Sequence, residues 1–481
     1  MNKQIYDVLI VGAGVTGTMI ARELSQYQLS IVILDKNNDA GDTTSSANSA
    51  IIHSGYDPEP GTLKAKFNVL GNAKYPKLVK ELDVPFIQCG SLTIAIEDEQ
   101  LEVLKELAER SKTNGVEVQL LSKEEVLKME PNINPEVKGA LFAPTAGIID
   151  PFNLVVHAME NAIDNGVTFL RSQEVLDIKK EDGVYKVKTN KQELFAKIII
   201  NAAGCKADKI AEMVEPIDWA ITPRKGEYYL LDHYAPGLVN HTIFPLPSKK
   251  GKGVLVSMTS SGNYIVGPSS ELADADDVST DPETLGNIRK AATLMVPSIP
   301  FNQTIRVFAG ERATCTRHDF IVEYAKCDKH FINVAGIESP GLASSPAIAE
   351  YVVNELVKPL ITLKKNPHFN PCIKPYHRMF YLSEEEKLAA IKEDPDYGMM
   401  VCNCEHISLG EIKDALSRSC PPVSIKGVKR RTRAGYGKCQ GGFCQPKVLM
   451  LLAEHYHVSP TEIPLAEDGS YIIDHEIKEA K

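Results

Sequence analysis

Residues 5–35 read IYDVLIVGAGVTGTMIARELSQYQLSIVILD, and the rest of the chain is organised around them. Val8 to Val11 is a short continuous apolar run, the pattern of a parallel strand buried on both faces. Gly12, Gly14 and Gly17 follow as G-x-G-x-x-G, and Ile20, Ala21 and Leu24 then recur at helical spacing. A second apolar run, Ile31 to Leu34, ends at Asp35. Strand, glycine turn, helix, strand and acid in this register predict a dinucleotide site. Gly12 serves the tight turn, Gly14 lets the backbone approach a pyrophosphate, and Gly17 lets the helix pack on the strand. The helix N-terminus turns N–H groups and a positive dipole end towards the phosphates. Asp35 stands where a carboxylate accepts from a ribose hydroxyl.

The 481 residues suffice for two to four domains with a substantial core. A net charge of −10 disfavours nucleic acid as a partner. No stretch reaches the ~18 apolar residues of a transmembrane helix. Met1 leads into the first strand within a few residues, leaving no room for a signal peptide. A cytoplasmic location is expected, with peripheral membrane association left open. Of ten cysteines, Cys89, Cys205, Cys315, Cys327 and Cys372 are scattered singly, as reduced thiols are. Four others crowd the last fifth of the chain, a grouping that in a reducing compartment points to metal or an iron–sulfur cluster.

After Asp35 comes a loop of small polar residues, GDTTSSANS at 41–49, which holds Thr44, Ser45, Ser46, Asn48 and Ser49. It is either a surface loop or one whose short side chains approach phosphates and a ring system. His53 follows between apolar residues and Gly55. Leu63 to Leu82 reads as helical and broken or kinked at Pro76, Ser91 to Ile96 as a strand, and Gln100 to Asn114 as a helix ending near Gly115. Asp150-Pro151 opens another helix, which ends at Gly166, with a strand at Val167 to Leu170. IIINAAG, 198–204, is a buried strand ending in small residues, Ala203 and Gly204 among them, that can pass close to a cofactor. From Pro223 to Pro268, β-rich runs parted by Gly, Pro and Asn predict an antiparallel sheet inserted in the first domain. Phe331 to Ala335 runs into GIESPGL, 336–342, and a helix from Ser345 to Val357, so Gly336, Gly341 and Leu342 form a second glycine turn facing a cofactor. Leu363 to Asp396 reads as a charged, Pro-bearing linker.

These pieces resemble the flavin-dependent D-amino-acid-oxidase-like superfamily over about residues 5–360, most closely in NSAIIHSGYDPEPGTLKAK, 48–66. PRKGEYYLL, GKGVLV, NYIVGP and GIESPGL also resemble its glycerol-3-phosphate and L-2-hydroxyglutarate branch. The resemblance implies FAD at the glycine fingerprint, with Val175 among its contacts. It implies His53 as catalytic base, Arg312 holding the substrate's anionic end, and Lys252 and Ser339 in segments lining the substrate pocket. Asp35 departs from the family, where most members carry Glu; a carboxylate serves either way. The implied chemistry is hydride transfer from a carbinol carbon to flavin as a neutral imidazole takes the hydroxyl proton. Arg312 supplies a planar fork suited to phosphate or carboxylate.

At the C-terminal end, Cys402 and Cys404 precede Cys439 and Cys444. Four thiolates on two short loops suit a [2Fe–2S] cluster and suit zinc equally. CNCEHISLGEIKDAL and GVKRRTRAGYGKCQGGFCQP resemble the helical domain of bacterioferritin-associated ferredoxin, which implies the cluster. Between the cysteine pairs, Lys426, Lys429, Arg430, Arg431, Arg433 and Lys438 form a basic run, either cations stabilising an anionic cluster or a solvated face.

The expected architecture is α/β, α+β overall. A Rossmann-like FAD-binding part (about 1–88, 145–215 and 301–362) carries an inserted antiparallel-sheet substrate domain (89–144 and 216–300). A linker (363–396) and a small helical [2Fe–2S] domain (397–481) complete it. The expected function is oxidation of a small anionic 2-hydroxy compound, sn-glycerol 3-phosphate first, with electrons leaving through the cluster to an acceptor protein or partner subunit. An L-2-hydroxyglutarate dehydrogenase, an amino-acid dehydrogenase and a redox carrier without a substrate of its own are the alternatives.

Overall fold

The computed structural model describes residues 4–233, 237–247 and 253–475. Strand β1 (Ile5–Val11) lies inside an eight-stranded sheet among the described residues. It runs parallel to β2 (Ile31–Leu34) on one side and to Glu193–Asn201 on the other. Thr168–Leu170 and Phe331–Ala335 extend the parallel set on either side, and Val175–Glu181 with Val184–Thr189 adds an antiparallel edge. The continuous apolar run in β1 has its cause in this position. Val8 and Ile10 enter the core beneath helix α1 (Val15–Leu24), while Leu9 and Val11 enter a second core on the opposite face with Tyr185 and Trp219.

The helix Pro151–Asp164 is capped by the Asp150 carboxylate, which accepts from the N–H groups of Phe152 and Asn153 at 2.9 Å each. Pro151 sits where its missing N–H costs nothing. The stretch expected to be helical and broken or kinked at Pro76 is broken: Leu63–Asn72 and Tyr75–Glu81 are parted at Ala73 and Lys74, and Pro76 opens the second helix. The last helix of the nucleotide-binding part starts at Gly341, four residues ahead of the expected Ser345, and runs to Tyr351, continuing as a π-helical turn, Val352–Val357, to the expected end. Pro346 inside it removes one donor, and the Leu342 carbonyl instead accepts from the Tyr75 hydroxyl at 2.5 Å and from Ser345 Oγ at 3.0 Å.

The inserted sheet has nine strands among the described residues. It is antiparallel, as expected, except at one pair, where Thr242–Phe244 runs parallel to Ser91–Ala95. Those two strands come from separate insertions, so no hairpin forces them antiparallel. Thr304–Arg312 also belongs here, paired antiparallel with Arg224–Leu231, and not to the nucleotide-binding part where it was expected.

Residues 363–396 join the two modules as a strap packed along the nucleotide-binding part, not as a free linker. Asn366 donates to the Gln26 carbonyl, Arg378 pairs with Asp83 at 2.7 Å, and the Tyr376 ring stacks on His157 at 4.6 Å. Beyond it, Leu409–Ser417, Ile425–Thr432 and Gln445–Tyr456 enclose a separate small core with Cys402 and Cys444 in it. Among the described residues no helix is long and apolar enough to cross a membrane.

Candidate active site and thiol centre

A cavity of about 560 Å³ opens where the two sheets meet. Its floor is the glycine fingerprint. Gly12 has φ +102°, and a Cβ there would overlap the Ala202 carbonyl; a Cβ on Gly17 would overlap the Gly12 carbonyl. Gly12 and Gly14 line the cavity, whereas Gly17 lies behind it, between helix and strand. The Ser45 hydroxyl accepts from Val15 N at 2.9 Å, so the small-residue loop itself caps the first turn of α1. Asn48 holds that loop: it donates to the carbonyls of Thr44 and Ser45 and accepts from Ala50 N. Thr44, Ser45, Asn48 and Ser49 face the cavity; Ser46 does not, its hydroxyl donating to the Thr43 carbonyl instead.

Asp35 lines the cavity and accepts from Ala13 N at 2.7 Å and Asn37 N at 2.9 Å. Burial pushes its carboxyl up from the ordinary range against these two backbone donors. Val175, Ala203, Gly204, Gly341 and Leu342 complete that side. Gly336 does not reach the cavity. Its φ of +66° makes the turn that aims Ile337–Leu342 at it, and a Cβ there would press on Cys315.

At the other end lie His53, Arg312 and Ser339. The His53 carbonyl accepts from Asn68 Nδ2 at 2.6 Å and Asn72 Nδ2 at 3.1 Å, which fixes its backbone, and its ring stands 5.7 Å from that of Phe244. The Arg312 guanidinium donates to the Ser269 carbonyl at 2.9 Å and lies 3.4 Å from Ser270 Oγ. It lies against Gly226, where a Cβ would overlap it. No carboxylate pairs with Arg312 among the described residues. Lys252 lies outside the described residues.

Several wall residues escaped sequence reasoning. Tyr228 stacks on Phe308 at 4.8 Å and places its hydroxyl 3.2 Å from Ser49 Oγ. Gly310 lets its strand pass so close to Ala47 that a Cβ would overlap the Ala47 carbonyl. Glu338 is held by Lys64 at 2.6 Å and Thr314 at 2.7 Å. The one usable signal was the β-rich run GEYYLL, in which the strand's pleat puts Gly226, Tyr228 and Leu230 on one face.

The four C-terminal cysteines meet as two pairs, Cys402 with Cys444 and Cys404 with Cys439. The first pair is buried and the second half-buried. A hydrogen bond from Cys444, with backbone N–H groups of Gly435, Glu405 and Cys404, lowers the Cys402 thiol to about 6. Burial works against Cys439, yet Cys404 and the N–H groups of Gly441 and Phe443 hold it below the usual thiol range. Among the described residues no three ligand side chains converge on a single ion position. Two thiol pairs ringed by N–H donors fit a two-iron cluster, with two thiolates for each iron.

A family described as FAD dependent oxidoreductase (DAO) matches residues 7–355, and a BFD-like [2Fe-2S] binding domain matches residues 400–454. The glycerol 3-phosphate dehydrogenase of Caloramator mitchellensis is 47% identical over 471 residues, 98% of each chain. The glycerol 3-phosphate oxidase of Mycoplasma genitalium is 37% identical over 379 residues, 76% of this chain and 98% of its own. The solved L-alpha-glycerophosphate oxidase of Mycoplasma pneumoniae, with FAD bound, superposes with a TM-score of 0.74 at 35% identity, covering 78% of this chain and 100% of that one. The chain belongs to the FAD-dependent oxidoreductase family of the DAO type and carries a C-terminal BFD-like [2Fe–2S] binding domain.

Proposed function

We propose that this protein oxidises sn-glycerol 3-phosphate to dihydroxyacetone phosphate and sends the electrons out through its [2Fe–2S] domain to an acceptor protein or partner subunit. The observation that carries the reading is that His53, Arg312 and the glycine fingerprint share one cavity. Relatives named for glycerol 3-phosphate, one of them matching over 98% of the chain, support the substrate.

Bound FAD supplies an acceptor for the carbinol hydrogen as hydride. Gly12, Gly14 and the first turn of α1 would hold its pyrophosphate, and Asp35 its ribose. Ala203, Gly204, Gly341 and Leu342 leave room for its ring system. His53 takes the substrate's hydroxyl proton on a ring nitrogen, a step that general bases accelerate by about 10² to 10⁴. Arg312 holds the phosphate and so fixes the carbinol's distance and angle. The cavity wall at Tyr228, with Phe244 beside the His53 ring, lowers the local dielectric and strengthens both interactions. Cys402, Cys404, Cys439 and Cys444 would ligate the cluster.

The test is anaerobic titration of the flavin spectrum with glycerol 3-phosphate, L-2-hydroxyglutarate and amino acids in turn. Bleaching by glycerol 3-phosphate is expected. Bleaching by L-2-hydroxyglutarate alone, or by none of them, would overturn the assignment.

A further inference from the structure

In the basic run between the cysteine pairs Lys438 is exposed, but the two arginines at the centre face neither solvent nor the thiols. Its helix, Ile425–Thr432, presses Arg430 and Arg431 into the nucleotide-binding part, where each is 4% exposed. Arg431 forks onto Asp39, with Nη1 2.7 Å from Oδ2 and Nη2 2.8 Å from Oδ1. The same guanidinium donates to the Cys420 carbonyl from Nε at 3.0 Å and from Nη2 at 2.9 Å. Arg430 pairs with Asp42, which Lys426 also reaches at 3.0 Å.

Asp39 and Asp42 belong to the loop that follows β2. Asn37, Thr43 and Thr44 of that loop line the flavin cavity, and Gly41 N donates to the Ala13 carbonyl in the glycine fingerprint at 2.9 Å. At the other end of the basic helix, Arg433 donates to Glu405, the residue after Cys404, at 2.8 Å. A continuous set of contacts therefore runs from the fingerprint loop to the thiol loop.

We infer that Asp39 and Arg431 are positioning residues for electron transfer between the two cofactor sites, their buried fork setting the [2Fe–2S] module at a fixed distance from the dinucleotide loop. The inference rests on the reading that electrons leave through the cluster. Net stability is a poor reason for such a pair, since apolar residues of similar volume would hold two modules together as well or better. What a bidentate arginine–carboxylate fork adds is orientation. Electron transfer falls steeply with separation, so a module that swung on its strap would be within range for only part of the time. The balance is one of electrons and a proton: the two electrons taken from substrate as hydride would pass singly to the cluster and on to the acceptor, and the hydrogen that came with them would leave the flavin as a proton to solvent.

The test uses the full-length protein with both cofactors and the variants Asp39→Asn, Arg431→Gln and Arg431→Lys, with Asp39→Asn/Arg431→Gln as the double. Flavin bleaching by glycerol 3-phosphate and the rise of the reduced-cluster EPR signal are followed separately after rapid mixing. A parallel arm reduces the flavin with light and a sacrificial donor. Leaving one partner of a buried pair unmatched should shift the docked-to-undocked ratio by about a hundredfold. Flavin bleaching is expected to stay at the wild-type rate while cluster reduction slows by about tenfold or more. Arg431→Lys should fall between, and the double variant should recover part of the loss because no buried charge is left alone. Trypsin should release the C-terminal module sooner from the single variants even when no cofactor is bound. Should Arg431→Gln fail to fold, Asp42→Asn tests the same grip from its outer edge.

Cluster reduction at the wild-type rate in Asp39→Asn would overturn the inference. So would a parallel loss of flavin or of flavin bleaching, which would make the pair a support of the loop alone. If glycerol 3-phosphate fails to bleach wild-type flavin but light-reduced flavin still feeds the cluster at a rate the variants slow, the substrate assignment falls and this inference stands.

Discussion

Arg224 stands directly opposite Arg312 across two antiparallel strands, and both guanidiniums reach Ser270. Arg224 donates to the Ser270 hydroxyl at 3.1 Å and to its carbonyl at 2.7 Å. Like charges directly opposite one another destabilise a sheet. They are tolerated here because serine oxygens accept from both; Arg312 lines the cavity, and Arg224 adds its positive field from behind the wall. A dianionic phosphate gains more from such a field than a single carboxylate does.

Arg312→Lys should therefore raise KM for glycerol 3-phosphate by about tenfold or more while kcat falls less, since a point charge cannot reproduce the fork. Arg224→Gln should leave the protein folded and yellow yet raise KM in the same direction by a smaller factor, through loss of field and a displaced Ser270. Steady-state kinetics across a range of salt would check both, because the Arg224 effect should shrink as ionic strength screens it. KM values that match the wild type in both variants would return these residues to a purely structural role.

His53 is held by its backbone rather than by its place in a helix or long strand. Two asparagines of the helix Leu63–Asn72 grip its carbonyl, and Gly55, at φ +103°, turns the chain tightly past Val69. His53→Ala should keep FAD and the fold but slow substrate-driven flavin reduction by about two to four orders of magnitude. Anaerobic stopped-flow absorbance measures it. Reduction at close to the wild-type rate would remove His53 from proton transfer.

The dinucleotide half of the site was legible because its constraints are local. The positive φ at Gly12, the absent Cβ at Gly17 and the run of four apolar residues each impose a residue type at a fixed spacing. His53 and Arg312 are different: no spacing links them, and only resemblance brought them forward. Tyr228, Ser270 and Gly310 went unseen because their roles arise where two insertions meet. The basic run kept its partners hidden for a related reason. Its acidic partner lies 392 positions earlier in the chain, so a window of sequence shows six cations and no acid. The strap at 363–396 looked like a linker because its Pro, Lys and Glu content is that of one. Its attachments, such as Tyr376 on His157, are made to a surface the local sequence does not contain.

The Asp39–Arg431 pair also fixes a pH dependence. Burial alone would raise the Asp39 carboxyl, but Arg431 and then Arg430 beside it hold it down to about 2. A carboxyl whose folded value lies below its unfolded one contributes stability that is complete above the unfolded range, near pH 4, and is lost as pH falls through the folded value. The size of that contribution is on the order of 2 kcal/mol. The stability difference between wild type and Asp39→Asn should therefore be flat from pH 7 to about 5 and shrink below about 4. Urea unfolding at a series of pH values, read by a probe in the C-terminal module, gives the curve. A difference unchanged down to pH 3 would mean that Asp39 is not held ionised by the arginines.

The two thiol pairs differ in exposure, and that difference sets the last expectation. Cys402 and Cys444 are buried in the small C-terminal core, whereas Cys404 and Cys439 lie nearer solvent, next to the exposed Phe443. Replacing Cys404 by Ser removes one outer thiolate and leaves the buried inner pair, Cys402 and Cys444, in place. Iron content and the EPR signal of the reduced protein should fall, and the module should become easier to unfold, because metal binding and folding are linked. The flavin cavity shares no residue with this loop, so a single turnover of glycerol 3-phosphate should still bleach FAD at the wild-type rate. Steady-state turnover with an acceptor that draws on the cluster should collapse, while turnover with a small artificial acceptor that reaches flavin directly should persist. Undiminished turnover with both acceptors would show that electrons leave from the flavin itself and that the C-terminal domain serves another purpose.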